Sequence, residues 1–409
     1  MPSSENIEIN PQNITAADIV IGIPSLNEGD NIAFVTEQID KGLQRFFPQY
    51  KSVIINVDNF SSDDTRKVFL SSVTSAPKMY LSTPEGVKGK GNNFYNLFHK
   101  AVELGALGVA VFDADLRSIR PFWVREMLNP ILKKNFDFCT PRYARNEYDG
   151  SITNHICYPL IRGLLGIDLR QPIGGDFALS PRLVEHCLQQ EWHTSTRQYG
   201  IDIFLTLNAI LGDFAIAQVG LGTKIHKPST PKLGPMFSQV VATLFLLLHA
   251  HREKWLQKQH PQDTIHFGKI NLNAAQTLEV DYKKIKAKAL SDFKKRQTVL
   301  SEILPKQNFA QIAAMYHDQK IRLSTQLWCE SVFDALFAFG ESKSHTEIVE
   351  ALKPLYFGRF IYFFRETLEK STGECEHEIQ NQARYFWQHR SYFLQKYICT
   401  KTARESVAA

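Results

Sequence analysis

Two carboxylates two residues apart, Asp113 and Asp115, follow the apolar run Gly108-Val-Ala-Val-Phe112. In an extended chain, side chains i and i+2 point the same way, so both are expected to face one pocket. Hard oxygen ligands suit Mg2+ or Mn2+ bridging a diphosphate, a job such cations do with few protein ligands. An Asp-x-Asp pair without context fits a surface loop equally well, and its place at the end of a strand-like segment is what favours the pocket. Lys88-Gly-Lys90-Gly91 adds two cations in a loop whose glycines let backbone approach a ligand, just before a predicted helix N-terminus that itself favours anions. It reads as a phosphate or sugar clamp, and without GxxxxGK[ST] spacing it does not support a P-loop. Asp58 closes a β-branched run, Lys51 to Asp58, and is a natural partner for a base N–H, with a turn residue or helix cap as the other reading.

The elements that place these residues alternate. Asp18 to Pro24 is a short strand-like run followed by a helical pattern from Asp30 to Phe47. The Lys51 to Asp58 run leads into the turn-rich Asn59 to Thr65, where Ser62 or Asp63 could cap the next helix. Lys78 to Ser82 precedes the glycine-rich loop and a helix from Asn92 to Leu104, and Gly108 to Phe112 forms a fourth strand. Such alternation predicts right-handed crossovers, a mostly parallel sheet and ligands at the carboxyl ends of its strands. The acidic and glycine-rich segments fall at those ends. Beyond about residue 235 long helical stretches rich in aromatics take over, among them Trp328 to Phe339 and Phe360 to Leu368. Three segments are therefore expected: a polar leader over 1–17, an α/β catalytic domain over 18–235 and an all-helical region over 236–409.

With 409 residues the chain exceeds one typical core, and its 44% hydrophobic and 22% charged residues match a folded globular protein. A net charge of +5 spread over 47 basic and 42 acidic residues is too dilute to indicate nucleic-acid binding and suits an anionic small substrate. The lysines at 283, 284, 286, 288, 294 and 295 read as a solvated helix face. Six cysteines, Cys139, Cys157, Cys187, Cys329, Cys375 and Cys399, contain no CxxC pair, so neither a zinc knuckle nor a disulfide framework is indicated. A cytoplasmic location fits that usage and the polar N-terminus. The longest apolar run, Met236 to Ala250, is shorter than the roughly 20 residues of a membrane span and reads as a buried helix, with interfacial attachment as the alternative.

Six spaced segments give these residues a common pattern: Ile23-Pro24-Ser-Leu-Asn27-Glu28, Lys88 to Gly91, Phe112 to Asp115, Arg170-Gln-Pro-Ile-Gly174-Gly175-Asp176, Tyr199-Gly200-Ile201-Asp202 and Lys224-Ile225-His226. In this order they resemble the GT-A glycosyltransferases, and within them the mannosylglycerate synthase and glucosyl-3-phosphoglycerate synthase enzymes. The likeness covers roughly residues 18 to 240. It implies a nucleotide-diphospho-sugar transferase fold with a Rossmann-like, mostly parallel sheet, and a hexose donor carried on a nucleotide diphosphate.

The resemblance also implies roles. Pro24, Asn27 and Glu28 would lie against the nucleotide base and ribose with Asp58, and Lys88, Lys90, Asp113 and Ala114 against the rest of the donor. Asp113, Asp115 and His226 would hold the divalent metal, and Gly174, Gly175 and Asp176 would line the sugar. The related mannosyl enzyme carries glutamate at the Asp176 position, which puts mannose in doubt. Arg142, Arg145 and Thr153 fall where the family binds an acceptor carboxylate or phosphate, a task suited to the planar arginine fork. Lys90, Asp113 and Asp202 are the candidate catalytic residues.

The expected activity is transfer of glucose or mannose to D-glycerate or 3-phosphoglycerate. Ile201, in place of the glutamate common in inverting enzymes, and the neighbouring Gln-Pro-Ile-Gly-Gly segment favour retention of anomeric configuration. Asp202 then holds hydroxyls instead of acting as a base. The competing readings are an inverting polyprenyl-phosphate sugar synthase and a non-catalytic nucleotide-sugar-binding scaffold. Intact Asp113, Asp115 and His226 speak against the latter. The aromatic C-terminal helices could form a homodimer interface or cap the catalytic domain.

Overall fold

The computed structural model describes residues 6–227, 232–272, 278 and 280–398. Two compact units interleave along the chain: unit 1 comprises Met1–Arg145, Gln171–Lys232 and Thr264–Gln276, and unit 2 comprises Asn146–Arg170, Leu233–Asp263 and Thr277–Ala409. This differs from the contiguous division at residue 235 read from the sequence. Residues 146–170 pack with helices far downstream in unit 2, while 264–276 return to unit 1.

Unit 1 is built on β1 (Ile7–Ile9), β2 (Ile19–Ser25), α1 (Ile32–Phe46), β3 (Ser52–Asp58), α2 (Thr65–Ser71), β4 (Lys78–Ser82), α3 (Lys90–Glu103), β5 (Gly108–Val111), α4 (Pro121–Lys134) and β6 (Phe138–Ala144). Strands Phe177–Leu179, Ile216–Thr223 and Ile265–Phe267 complete a nine-stranded sheet. Its order is β1, β4, β3, β2, β5, Phe177–Leu179, β6, Ile216–Thr223, Ile265–Phe267. Only β1 and Phe177–Leu179 run antiparallel to their neighbours. The mostly parallel α/β class expected from the sequence is what unit 1 has. Part of the expected leader is structured, because β1 adds to the edge of β4 through the register Ile7↔Ser82.

β2 is apolar from Ile19 to Pro24 because both faces of a parallel sheet are covered by helices, and all seven of its residues are buried. Ile19, Ile21 and Ile23 pack with Ile32, Val35, Ile39 and Leu43 of α1 and with Trp123, Val124 and Met127 of α4. Burying each such aliphatic side chain is worth roughly 1.5–3 kcal/mol relative to exposure. Ser25 of β2 is paired in register with Asp58 of β3, so the loops that follow these strands leave the sheet side by side.

Unit 2 is largely helical. It contains the run Thr153–Leu165, whose two ends are π-helical, and helices Leu233–Ala250, Tyr282–Ile303, Thr325–Glu341, His345–Thr367 and Thr372–Gln388. It is not all-helical, since Ile167–Asp168 pairs with Gln262–Asp263. Among the described residues, Leu233–Ala250 is the one helix long and apolar enough to cross a membrane by length and composition. Phe237, Val240, Val241, Leu244, Phe245 and Leu248 on it are buried in unit 2, and 39% of the span is buried overall. Cys139, Cys157, Cys187, Cys329 and Cys375 are buried free thiols; Cys399 lies outside the described residues.

Candidate active site

The strand order turns back at β2 and β5: β3 and β4 lie to one side of β2, and the chain resumes with β5 on the other. In open α/β sheets the crevice beyond the carboxyl ends at such a switch point is where ligands bind. Ser25 ends β2 and Asp113 stands two residues beyond the end of β5.

Asp113 is the hub of a buried charge network. Its Oδ1 lies 2.9 Å from Lys90 Nζ and its Oδ2 lies 2.9 Å from Lys224 Nζ. Lys90 reaches Asp202 Oδ1 at 3.2 Å, and Lys224 donates to Asp176 Oδ2 at 3.1 Å and to the Gly174 carbonyl at 2.8 Å. Asp176 also accepts the Asp113 backbone N–H at 2.8 Å and the Tyr143 hydroxyl. Two ammonium groups thus serve three carboxylates.

The charge balance sets the titration. Burial alone would raise the Asp113 carboxyl, but Lys224 and Lys90 outweigh it and hold the group well below the usual carboxylate range. At Asp176 and Asp202 burial wins over the single lysine each contacts, and both are pushed up. Burial would lower both lysines, yet the carboxylates prevail and raise them. Gly175 makes the arrangement possible. Its φ is +91°, and a Cβ there would stand 2.4 Å from Asp113 Oδ2 and 2.9 Å from Lys224 Nζ.

Asp115 has partners different from those of Asp113. β5 ends at Val111 and residues 114–115 form a turn, so the alternation of an extended strand does not apply. Asp115 instead accepts the Lys227 backbone N–H at 3.2 Å. Among the described residues no three His, Cys, Asp or Glu side chains gather into a group that could hold a metal ion, so Asp113, Asp115 and His226 are not a ready-made three-ligand set. The Asp115 carboxylate suits a hard cation such as Mg2+ or Mn2+, and His226, the penultimate residue of the described segment 6–227, is a borderline nitrogen donor.

The Lys88–Gly91 loop packs against the 196–198 segment. Two of the first N–H groups of α3 are engaged: Gly91 N donates to the Gln198 carbonyl at 3.0 Å and Asn92 N to the Arg197 carbonyl at 3.1 Å. A Cβ on Gly91 would sit 2.0 Å from the Thr196 carbonyl oxygen. The glycine admits the close approach of the 196–198 segment. Lys88 is exposed and Lys90 turns inward to Asp113.

Asp58 is also committed. Its buried carboxylate accepts Ser25 Oγ at 2.8 Å, Ser61 Oγ at 2.6 Å, Ser61 N at 2.8 Å and the Tyr80 hydroxyl at 2.8 Å. It fastens the loops after β2 and β3 and has no lone pair left pointing at a base. Pro24 is buried in β2. Asn27, at φ +57°, donates its N–H to Ser61 Oγ at 2.8 Å and accepts Ser62 N–H at 2.9 Å. Glu28 accepts Lys227 Nζ at 2.7 Å and Asn31 Nδ2 at 3.1 Å, and burial raises its pKa against the pull of Lys227. Asp63 accepts the N–H groups of Thr65 and Gly29 at 3.0 and 3.1 Å, tying the loop after β2 to the start of α2. The cap position of α2 is Asp64, one residue beyond the expected Ser62 or Asp63, and its side chain makes no capping hydrogen bond.

Arg142 on β6 has its Nη1 3.5 Å from His266 Nδ1, and the Arg145 charge acts on both Lys224 and Tyr143. Thr153 belongs to unit 2, where it is buried in a π-helical turn. Gly174 packs on Pro141, and Ala114 is buried in the turn after β5.

Sequence reasoning missed Lys224, Tyr143 and Lys227. Lys224 was visible as part of the Lys-Ile-His segment, but its position at the end of strand Ile216–Thr223, beside two carboxylates from distant parts of the chain, was not.

No protein-family model matches the chain, and no curated protein matches it significantly. Among solved structures it is similar to glucosyl-3-phosphoglycerate synthase from Mycobacterium tuberculosis in complex with Mg2+ and uridine diphosphate, at 25% identity over 56% of this chain and 79% of that chain, with a TM-score of 0.45. The same figures hold for that enzyme in complex with Mn2+, UDP-glucose and phosphoglyceric acid. A structure described as a mycobacterial protein is similar at 25% identity over 57% of this chain and 76% of that one, with a TM-score of 0.45.

Proposed function

We propose that the chain is a metal-assisted hexosyltransferase of GT-A type that moves glucose or mannose from a nucleotide-diphosphate sugar to a small anionic acceptor, D-glycerate or 3-phosphoglycerate, with retention. The observation that carries this reading is the buried Asp113–Lys90–Asp202 and Asp113–Lys224–Asp176 network at the switch point of a mostly parallel sheet. Five charged groups, most of each side chain withdrawn from water, at the place where α/β sheets bind ligands, suit recognition of a polyhydroxyl ring beside a polyanion.

In this reading Asp176 and Asp202 hold sugar hydroxyls, with Lys224 and Tyr143 fixing Asp176. Asp202 rests against the Lys90 ammonium, which suits orienting hydroxyls and not removing a proton, so the departing phosphate assists the acceptor. Lys90 and Lys224 keep Asp113 ionised. Asp115 and His226 would hold Mg2+ or Mn2+ together with donor phosphate oxygens, and the bound cation neutralises charge on the leaving diphosphate. Arg145, whose charge reaches Lys224, and Arg142 are the candidate acceptor contacts on unit 1. What remains for the protein is positioning and fixed charge, the usual substance of group transfer.

The test is release of nucleotide diphosphate by purified protein given Mn2+ or Mg2+, a panel of nucleotide sugars and either acceptor. Release that depends on both metal and acceptor supports the reading. No release with any donor paired with either glycerate refutes the acceptor class, and no donor binding at all refutes the transferase.

A further inference from the structure

Phe60 is held in the left-handed region at φ +56°, a conformation that is an outlier for a bulky side chain, and 38% of it is exposed. Burial does not explain the residue and local geometry opposes it. Strain of this kind persists where the surroundings impose it, and it concentrates at ligand clamps.

The surroundings do impose it. Asp58, two residues earlier, takes four hydrogen bonds that pin the chain at the end of β3. Asn59 accepts the Gly89 N–H through its Oδ1, tying this loop to the one after β4. Asn27 bonds Ser61 and Ser62, tying it to the loop after β2. Each of these three cross-linked loops carries one exposed large apolar residue: Leu26 at 40%, Phe60 at 38% and Val87 at 41%. The loops follow neighbouring strands of the parallel sheet, on the β2 side of the switch point.

Exposed apolar side chains therefore mark the loops after β2, β3 and β4, while the charge network lies beyond the end of β5. We infer that the Phe60 ring is the stacking surface for the planar base of a nucleotide, with Leu26 and Val87 beside it. The proposal rests on the transferase reading and deepens it. It also removes the difficulty left by Asp58, whose lone pairs are spent on the loops. The base is gripped through its π-face, a mode tolerant of base identity, and Asp58 acts by shaping the loop that presents the ring.

The test is Phe60→Gly, with Phe60→Trp and Phe60→Leu alongside. Glycine adopts positive φ without strain. The variant is therefore expected to melt no lower than the parent, while its affinity for nucleoside diphosphate with Mn2+, measured by calorimetry, falls about tenfold, within the range base–aromatic stacking supplies. Phe60→Trp keeps the affinity and Phe60→Leu falls between. Pyrophosphate with Mn2+, which has no base, binds parent and glycine variant alike.

Nucleoside diphosphate binding unchanged in Phe60→Gly overturns the stacking role and leaves the transferase reading standing. An equal loss of pyrophosphate affinity, or a lower melting temperature, makes Phe60 a structural residue and overturns it too. A parent that binds no nucleoside diphosphate overturns both.

Discussion

Replacing Lys224 by methionine puts the charge network under the most direct strain. The side chain of Lys224 is 4% exposed and that of Asp176 is fully buried, so the ammonium cannot be replaced by water without opening the site. Its loss leaves three carboxylates with one cation and withdraws contacts at 2.9, 3.1 and 2.8 Å. Removing one partner of a buried pair costs about 3–5 kcal/mol. With an m-value of about 3 kcal/mol per molar urea, a loss of about 4 kcal/mol lowers the unfolding midpoint by about 1.3 M. The penalty has a defined pH dependence. Asp176 is already raised by burial, and without Lys224 it rises further. A folded carboxyl above its unfolded value binds more protons than the unfolded chain, so stability falls as pH rises through that window and is regained on acidification. Lys224→Met should thus lose most at neutral pH and approach the parent as pH falls towards the usual carboxylate range. Adding Asp176→Asn to it should recover about half the loss at pH 7, because the uncompensated charge is gone. Urea titrations of the parent and both variants at several pH values give the answer. A midpoint within about 0.3 M of the parent for Lys224→Met, or a double variant less stable than the single one, would refute the reasoning.

Other perturbations test separate parts of the account. Gly175→Ala drives a Cβ to within 2.4 Å of Asp113 Oδ2 at φ +91°, and thermal unfolding should register a loss of about 2 kcal/mol or more; a neutral substitution contradicts the need for glycine there. Asp58→Ala strands the donors of Ser25, Ser61 and Tyr80 and is expected to destabilise by about 2–4 kcal/mol; a variant as stable as the parent would return Asp58 to a ligand-binding role. His155 in unit 2 is fully buried, and burial, reinforced by the Arg359 charge, pushes its pKa well below the usual value. The unfolded chain therefore takes up the proton first. Stability is lost as pH falls below about 6.5, by up to about 1.4 kcal/mol per pH unit, and His155→Gln should flatten that part of the profile when denaturation is followed between pH 7 and 5.

The strands and helices of unit 1 were legible because their signals are local. β-branched runs such as Val53 to Val57 end in turn residues, and Ile32, Val35, Ile39 and Leu43 recur at helical spacing. The site was legible as a set of residues but not as an arrangement. The Asp113-Ala-Asp115 pair was read with strand alternation, but β5 ends at Val111 and residues 114–115 form a turn. That the Lys88–Gly91 loop packs against Thr196 to Gln198 was not legible, because that segment lies about a hundred residues downstream. Asp58 looked available because Ser61 and Tyr80 read as ordinary turn and strand residues. The interleaving of the two units rests on residues 146–170 packing with helices beyond residue 350, which no window along the chain can reveal.

The central claim is transfer itself, and proton NMR of a reaction mixture tests it most directly. Purified protein with Mg2+, the nucleotide sugar giving the highest diphosphate release and D-glycerate or 3-phosphoglycerate should produce a new anomeric signal with the donor's configuration, and Asp113→Asn should abolish it. Donor signals that stay unchanged with every acceptor, or that decay only to free sugar, would contradict the account.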